Sequence, residues 1–297
     1  MNTKDRYTGA TILKSPLKLI GAKTKIRDLL YRYFPEHKTY CEPFMGTAGV
    51  LIGKVETEHE VIGDLNEYAI NFFEAIKHQP DWFWQCYEVE LERLRENGVD
   101  RFNELKKLVV SPYINWVHRA VCFYLITKVC MNGIWRLNKA GECNSSYCGQ
   151  THGRGFMDRP WFDAVRARIQ HITFVNYEYS KTLDFYPSDF TFLDPPYHDC
   201  MTTYNGIGWG DEHFIKFARK IDCIKGRWLL TINDDRFIRE LFRGYDQVEH
   251  KVNYSCSQTN SGRGFKNELL IANYDIHSID ERLQYEKENL PAMQKSK

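Results

Sequence analysis

Apolar residues along this chain fall either into short continuous runs closed by turn residues or into longer stretches with helical spacing. The first pattern predicts buried strands and the second predicts helices. "TYCEPFMGTAGVLIGK" (39–54) reads as a short strand, a glycine-bearing turn and a helix start. "HEVIGDLNEYAINFFEAIK" (59–77) repeats the arrangement, with a strand ending on Asp64 and a helix after Asn66. Two successive strand-turn-helix units predict a parallel α/β sheet. Residues 81–130 lose strand character: "WFWQCYEVELERLREN" and "INWVHRAVCFYLITKVC" have helical spacing throughout. A Gly/Asn/Ser-rich irregular stretch follows between Met131 and Pro160. The α/β alternation then resumes with "HITFVNYEY", "DFTFLDPPY", "RWLLTIND" and a closing pair, "QVEHKVNYS" and "KNELLIANY". This order predicts an interrupted α/β domain made of residues 1–80 and 171–280. Residues 81–170 form a mainly helical insertion, and 281–297 a tail that is loose helix or disordered.

Length and composition narrow the class. At 297 residues with 43% hydrophobic content, the chain can bury a full core. It contains no run of about 18 apolar residues, and its first twenty residues lack the apolar core and cleavage site of a signal peptide. A soluble cytoplasmic protein with no membrane partner is expected. Nine cysteines, an odd number without a CxxC pair, predict reduced thiols. Cys143, Cys148 and His152 come nearest to ligand spacing but offer no fourth ligand, so no metal site is expected. The net charge of +1 excludes a uniformly basic protein, yet the charge is uneven. Between Val110 and Ile172, Arg119, Lys128, Arg136, Lys139, Arg154, Arg159, Arg166 and Arg168 outnumber Glu142, Asp158 and Asp163. Interleaved with Trp116, Trp135, Tyr147 and Trp161, that excess suits either a phosphate-binding surface with stacking residues or a well-solvated subdomain.

In an open parallel sheet, ligands bind at the carboxyl ends of the strands, so the residues there carry the chemistry. Gly46 and Gly49 let the backbone approach a ligand, and the helix behind them offers N–H groups. Asp64 follows about twenty residues later, the spacing at which a carboxylate accepts hydrogen bonds from ribose hydroxyls. The third strand end is "TFLDPPYHDC" (191–200). Two prolines stiffen the backbone after Asp194 and leave carbonyls without a neighbouring N–H. The Asp194 carboxylate and the Pro195 carbonyl can then accept hydrogen bonds from one planar –NH2 group, while Tyr197 supplies a stacking face. The stretch fits an exocyclic amine on an aromatic base.

Asp194-Pro195-Pro196-Tyr197 matches the catalytic motif of the amino-group DNA methyltransferases, and the layout resembles the D12 class of adenine-N6 enzymes, the Dam and DpnM type. "KLIGAK" (18–23), "EPFMGTAG" (42–49), "GDLNEYAINFF" (63–73), a recognition-like insert and "FLDPPY" (192–197) occur in that family's order. "MNGIWRLNKAGECNSSYCG" (131–149) resembles its recognition hairpin, and "LLTINDDRFIRELF" and "NELLIANY" its last strands. The chain departs from the family pattern at Leu19, where a tryptophan is usual, and at Ala22, where a second glycine is usual. It also departs at the stretched Phe44–Gly49 turn and at the cysteines of "CNSSYC".

The resemblance implies a Rossmann-like, S-adenosylmethionine-dependent methyltransferase sheet with an inserted target-recognition domain. It places Lys23 and the backbone near Leu19 and Gly21 at the methionine end of the cofactor. Phe44 and Gly46 would line the pocket, Asp64 would hold the ribose, and Glu178 and Tyr179 would sit near the adenine. It assigns catalysis to Asp194, Pro195, Pro196 and Tyr197, with Asp194 also beside the cofactor. DNA contacts fall to Asn132, Arg136, Asn138 and Lys139, with Arg136 reading a guanine edge. The implied activity is site-specific methylation of adenine N6 in duplex DNA by a monomer. A cognate restriction endonuclease acting on the same site is a candidate partner, and a prokaryotic or phage, nucleoid-associated setting is implied. Cytosine-N4 methylation uses the same four residues and is one alternative; a catalytically silent DNA-binding regulator is another.

Overall fold

The computed structural model describes residues 2–4, 11–149, 155–198, 209–254 and 264–284. Two short strands, β1 (Asn2–Lys4) and β2 (Thr11–Leu13), pair antiparallel ahead of the main sheet. The sheet then alternates with helices: α1 (Arg27–Tyr33), β3 (Thr39–Glu42), α2 (Gly49–Gly53), β4 (His59–Gly63) and α3 (Glu67–His78). Three helices follow before the next strand: α4 (Pro80–Val109), α5 (Trp116–Val129) and α6 (Arg159–Arg168). The alternation resumes with β5 (Ile172–Val175), α7 (Tyr179–Phe185), β6 (Phe190–Leu193), α8 (Asp211–Ile221), β7 (Arg227–Asn233), α9 (Arg236–Leu241), β8 (Asp246–Tyr254) and β9 (Gly264–Ala272). Among the described residues, seven strands form one sheet in the order β5-β4-β3-β6-β7-β9-β8. The first five are parallel, and β9 runs antiparallel to both β7 and β8.

Burial explains the strand sequences. All four residues of β6 are buried and so are the five central residues of β7, as expected where helices cover both faces of a parallel sheet. On the edge strand β8, Val248 and His250 are buried while Glu249 and Lys251 face outward, the alternation of a strand covered on one side.

Among the described residues, α4, α5 and α6 share one core with the sheet. Phe72 of α3 stacks on Tyr124 of α5 with centroids 5.3 Å apart, and Phe83 of α4 stacks on Phe162 of α6 at 5.9 Å. These rings belong to the same buried cluster as Tyr40, Ile62 and Phe190 of the sheet. From α6, Arg168 reaches across to the buried carboxylate of Glu60 on β4, 2.5 Å away, and donates to the Leu51 carbonyl at 2.8 Å. α4 begins with Pro80, whose missing N–H costs nothing at a helix start, and it breaks at Gly98, where φ is +51°. Apart from Trp116, His118, Arg119 and Lys128, the residues of α5 are buried, so its middle is an all-round apolar core helix. Among the described residues, no helix is long and apolar enough to cross a membrane.

Candidate active site

The chain leaves β3 outward to β4 and β5, then returns to lay β6 on the other side of β3. This reversal makes a topological switch point, where the first turns of neighbouring connections diverge and leave a crevice. Because β3 to β6 are parallel, the residues that follow them share one edge. Those residues are Phe44 and Gly46, Asp64, Glu178 and Tyr179, and the Asp194–Tyr197 turn.

Asp64 ties two of these strand ends together. Its Oδ2 accepts from the Gly46 N–H at 2.8 Å and its Oδ1 from the Asn66 N–H at 2.8 Å. Gly46 has φ +50°, and a Cβ there would meet no atom within 4 Å, so the turn presents open space on that side. Burial raises the Asp64 pKa, opposed by the N–H groups of Asn66, Gly46 and Leu65. The three N–H donors leave part of the carboxylate's four lone-pair sites open to a hydroxyl donor.

Aromatic rings form the neighbouring wall. Phe44 stacks on Tyr179 with centroids 5.3 Å apart, and Trp209 meets Phe44 edge-on at 5.8 Å. Burial, with the Glu178 charge adding to it, pushes the Tyr179 hydroxyl up to about 12. The Glu178 side chain caps α7 by accepting from the Ser180 N–H at 2.9 Å, so part of its hydrogen-bonding capacity serves the helix start. Sequence reasoning passed over Trp209, because an aromatic between glycines carries no period to mark it.

Lys23, assigned to the methionine end, has its ammonium 3.0 Å from Asp194 Oδ1 and 2.5 Å from the Tyr197 hydroxyl. The ion pair is largely enclosed, with side-chain exposures of 9% and 18%. Burial raises the Asp194 pKa to about 6 even though Lys23 pulls it down, and Glu268 adds to the rise. Below it, burial drives the Glu42 pKa up to about 8, with the Tyr40 hydroxyl and the Leu51 N–H working against the rise and the Asp194 charge adding to it. Pro195 is buried, and Pro196 and Tyr197 are half-buried. Gly21, at φ +84°, turns the Lys18–Lys23 segment where Ile20–Ala22 are exposed, while Leu19 packs against the main core.

In the 131–149 segment, isolated antiparallel bridges pair Leu137 with Cys143 and Cys130 with Tyr147, which folds it back on itself as a hairpin. Asn138 builds its turn: Oδ1 accepts from Ala140 N at 3.0 Å and Glu142 N at 2.9 Å, and Nδ2 donates to Glu142 at 2.8 Å. Arg136, Asn132 and Lys139 are exposed. At the hairpin base, Gly133 has φ +71°, and a Cβ would fall 2.7 Å from the Lys18 carbonyl oxygen, so this arm lies directly on the Lys18–Lys23 segment. A cavity of about 330 Å³ borders that contact, lined by Lys14, Ser15, Lys18, Thr24, Lys128 and Trp161. Burial and the Lys18 charge push the Lys128 ammonium down to about 8.

Much of the basic excess in the insertion is already engaged. Arg168 is buried against Glu60, Arg159 pairs with Asp163 at 3.0 Å, and Arg119 donates to the Ser111 carbonyl. Trp135 packs between Tyr68 and Phe123, Tyr147 against Phe102, and Trp161 is buried, so most of the expected stacking rings are core. Cys143 is buried and its thiol donates to Ser145 Oγ at 3.7 Å. His152, Arg154 and residues 285–297 lie outside the described residues.

Known proteins align with this arrangement over most of its length. A DNA adenine methylase of Vibrio cholerae is 26% identical over 272 residues, covering 86% of this chain and 94% of its own. The type II methyltransferase M.CviBI of Paramecium bursaria Chlorella virus NC1A is 26% identical over 257 residues, covering 84% and 94%. M.MjaIII of Methanocaldococcus jannaschii, also a type II methyltransferase, is 27% identical over 294 residues, covering 88% and 99%. A family model spans residues 19–256, from the Lys23 segment through the Asp194–Tyr197 turn to just past β8. With the acidic strand end, the proline-stiffened turn and the hairpin inside that span, the chain belongs to the D12 class of N6 adenine-specific DNA methyltransferases.

Proposed function

We propose that this enzyme transfers a methyl group from S-adenosylmethionine to N6 of an adenine flipped out of duplex DNA at a specific site. The observation that carries the reading is that the Asp194–Tyr197 turn and the Asp64–Gly46 turn follow parallel strands at one sheet edge, at the switch point of a sheet whose family methylates adenine N6. The residues present fit the cofactor: Asp64 has lone pairs for ribose hydroxyls, Gly46 leaves room for close approach, and Phe44 with Tyr179 offers an aromatic wall. When bound, S-adenosylmethionine supplies an electrophilic methyl on a positively charged sulfur.

The chain's own residues answer two difficulties of the reaction. Adenine N6 is a poor nucleophile because its lone pair is delocalised into the ring. Asp194 and the Pro195 carbonyl accept its two N–H bonds, favour a pyramidal nitrogen and stabilise the positive charge that develops as the N–C bond forms and the S–C bond breaks. One N6 proton must then leave, and Asp194, with a pKa near 6, is the carboxylate positioned to take it. The second difficulty is access: flipping the base costs about a few kcal/mol, offset in part by stacking on Tyr197. Arg136 reads the duplex, Lys139 and Asn132 flank it, and Lys14 and Lys18 at the basic cavity neutralise backbone phosphates.

Incubating the protein with tritiated S-adenosylmethionine and mixed-sequence DNA, then digesting to nucleosides, tests the reading directly. Label in N6-methyladenine is expected; label only in N4-methylcytosine, or none, overturns it. Asp64→Ala is expected to raise the cofactor dissociation constant at least about tenfold by calorimetry, through loss of a charged hydrogen-bond acceptor. An unchanged constant would confine Asp64 to holding the Gly46 turn. For Arg136, bidentate pairing to guanine O6 and N7 is worth about 1–3 kcal/mol of discrimination. Methylome sequencing with Arg136→Ala should therefore show a recognition site degenerate at one guanine. A unique consensus with uniformly weaker methylation would make Arg136 a phosphate contact instead.

A further inference from the structure

The catalytic turn needs an anchor at both ends, and only one is obvious. Asp194 is held on its N-terminal side by β6, whose Leu193 pairs in register with Leu230 of β7. Proline fixes φ at positions 195 and 196, but ψ of Pro196 and both torsions of Tyr197 remain adjustable. The next residue is His198, and it is fastened on every side. Its N–H donates to Asn233 Oδ1 at 3.0 Å and its carbonyl accepts from Asn233 Nδ2 at 3.2 Å, so the last residue of β7 grips the backbone twice. The imidazole is buried, with Nδ1 2.9 Å from Asp235 Oδ2 and Nε2 2.8 Å from Asp211 Oδ1. Its ring stacks on Phe237 at 4.7 Å and meets Phe214 edge-on at 5.5 Å.

We infer that His198 is a positioning residue for methyl transfer, a doubly bonded imidazolium that locks the Asp194–Tyr197 turn to the starts of α8 and α9. A carboxylate only accepts, so a ring that satisfies Asp211 and Asp235 together must donate from both nitrogens, and it is then a cation. Asp211 opens α8, and Asp235 caps α9 by accepting from the Ile238 N–H at 3.1 Å. Burial works against the charge on Asp235, but the His198 ring and the helix N–H groups outweigh it and hold the carboxyl below its usual range. Two helix starts and one strand end therefore meet on the residue that follows Tyr197. The consequence is geometric: the stacking plane of Tyr197 and the Pro195 carbonyl must stay within a fraction of an ångström of the amine, and a displacement of about 1 Å can cost about 100-fold in rate.

The inference rests on the methyltransferase reading, and the test separates the two. Single-turnover methylation at saturating DNA and S-adenosylmethionine would be measured for the unaltered enzyme, His198→Gln, Asp211→Asn and the double variant. Thermal unfolding and the cofactor dissociation constant would be followed alongside. The Asp211 side chain is 67% exposed, so Asp211→Asn keeps the fold intact and decides the matter if His198→Gln does not fold. Asparagine offers one oxygen where the carboxylate had two, and the neutral group no longer pairs with a charged ring. The expected result is a loss of about tenfold or more in the single-turnover rate for each variant. For Asp211→Asn the unfolding temperature and cofactor affinity should be nearly unchanged, and the rate of the double variant should be no lower than that of His198→Gln. Reintroducing a carboxylate with Asp211→Glu should recover part of the loss. Rates within twofold of the unaltered enzyme, or a loss confined to KM, overturn the inference, whereas an unaltered enzyme that transfers no methyl group overturns the underlying reading.

Discussion

Replacing Asp194 with alanine is expected to lower the single-turnover rate of methyl transfer by at least about 10³-fold while cofactor binding stays within a few-fold. The carboxylate acts on charge that exists only in the transition state, and removing one such preorganised group typically costs about 10²–10³ in rate. Asp194 also receives the departing proton, so the loss should reach the top of that range. Alanine leaves the enclosed Lys23 ammonium without the partner 3.0 Å away, so some stability is lost with it. Asp194→Asn separates the two effects: it is nearly isosteric and still accepts one hydrogen bond, but cannot take the proton. If either variant retains more than a tenth of the original rate, the assigned role fails.

Lys23→Met should move the acid limb of the pH–rate profile upward. Asp194 must be ionised to accept from the amine, and its pKa is raised by burial to about 6 despite the pull of Lys23. In the unaltered enzyme the rate should be flat above that value and fall as pH drops through about 6. Without the ammonium, burial acts unopposed and the folded-state pKa rises further. At pH 7 the carboxyl is then largely protonated and the rate drops by about tenfold or more, recovering as pH rises. The sign for stability is opposite. A carboxyl whose folded pKa lies above its unfolded one holds more protons folded, so its contribution falls as pH rises from about 4 to 6. The fold is thus weakened by the charge that catalysis requires. A limb that stays near pH 6 in Lys23→Met would show that Lys23 does not tune Asp194.

The alternation of strands and helices, the acidic end of β4 and the stiff turn after β6 were legible in the sequence because each is encoded by neighbouring residues. An apolar run under two helical layers has to be a buried strand, and two consecutive prolines set the backbone wherever they fall. The helical character of 81–130 was readable for the same reason. Tertiary structure alone decided which side chains those elements bring together. Lys23 and Tyr197 are 174 positions apart, and they meet only because the sheet order returns β6 to the side of β3. The fate of Trp135 and Trp161 likewise depended on a core shared between α4–α6 and the sheet, where rings that could have stacked on bases pack against protein instead. His198 has no local pattern at all: its partners stand at the starts of two helices and the end of a strand, and spacing along a chain carries no record of such a meeting. Local torsion and period are properties of adjacent residues, whereas the pairing of distant charges is a property of topology.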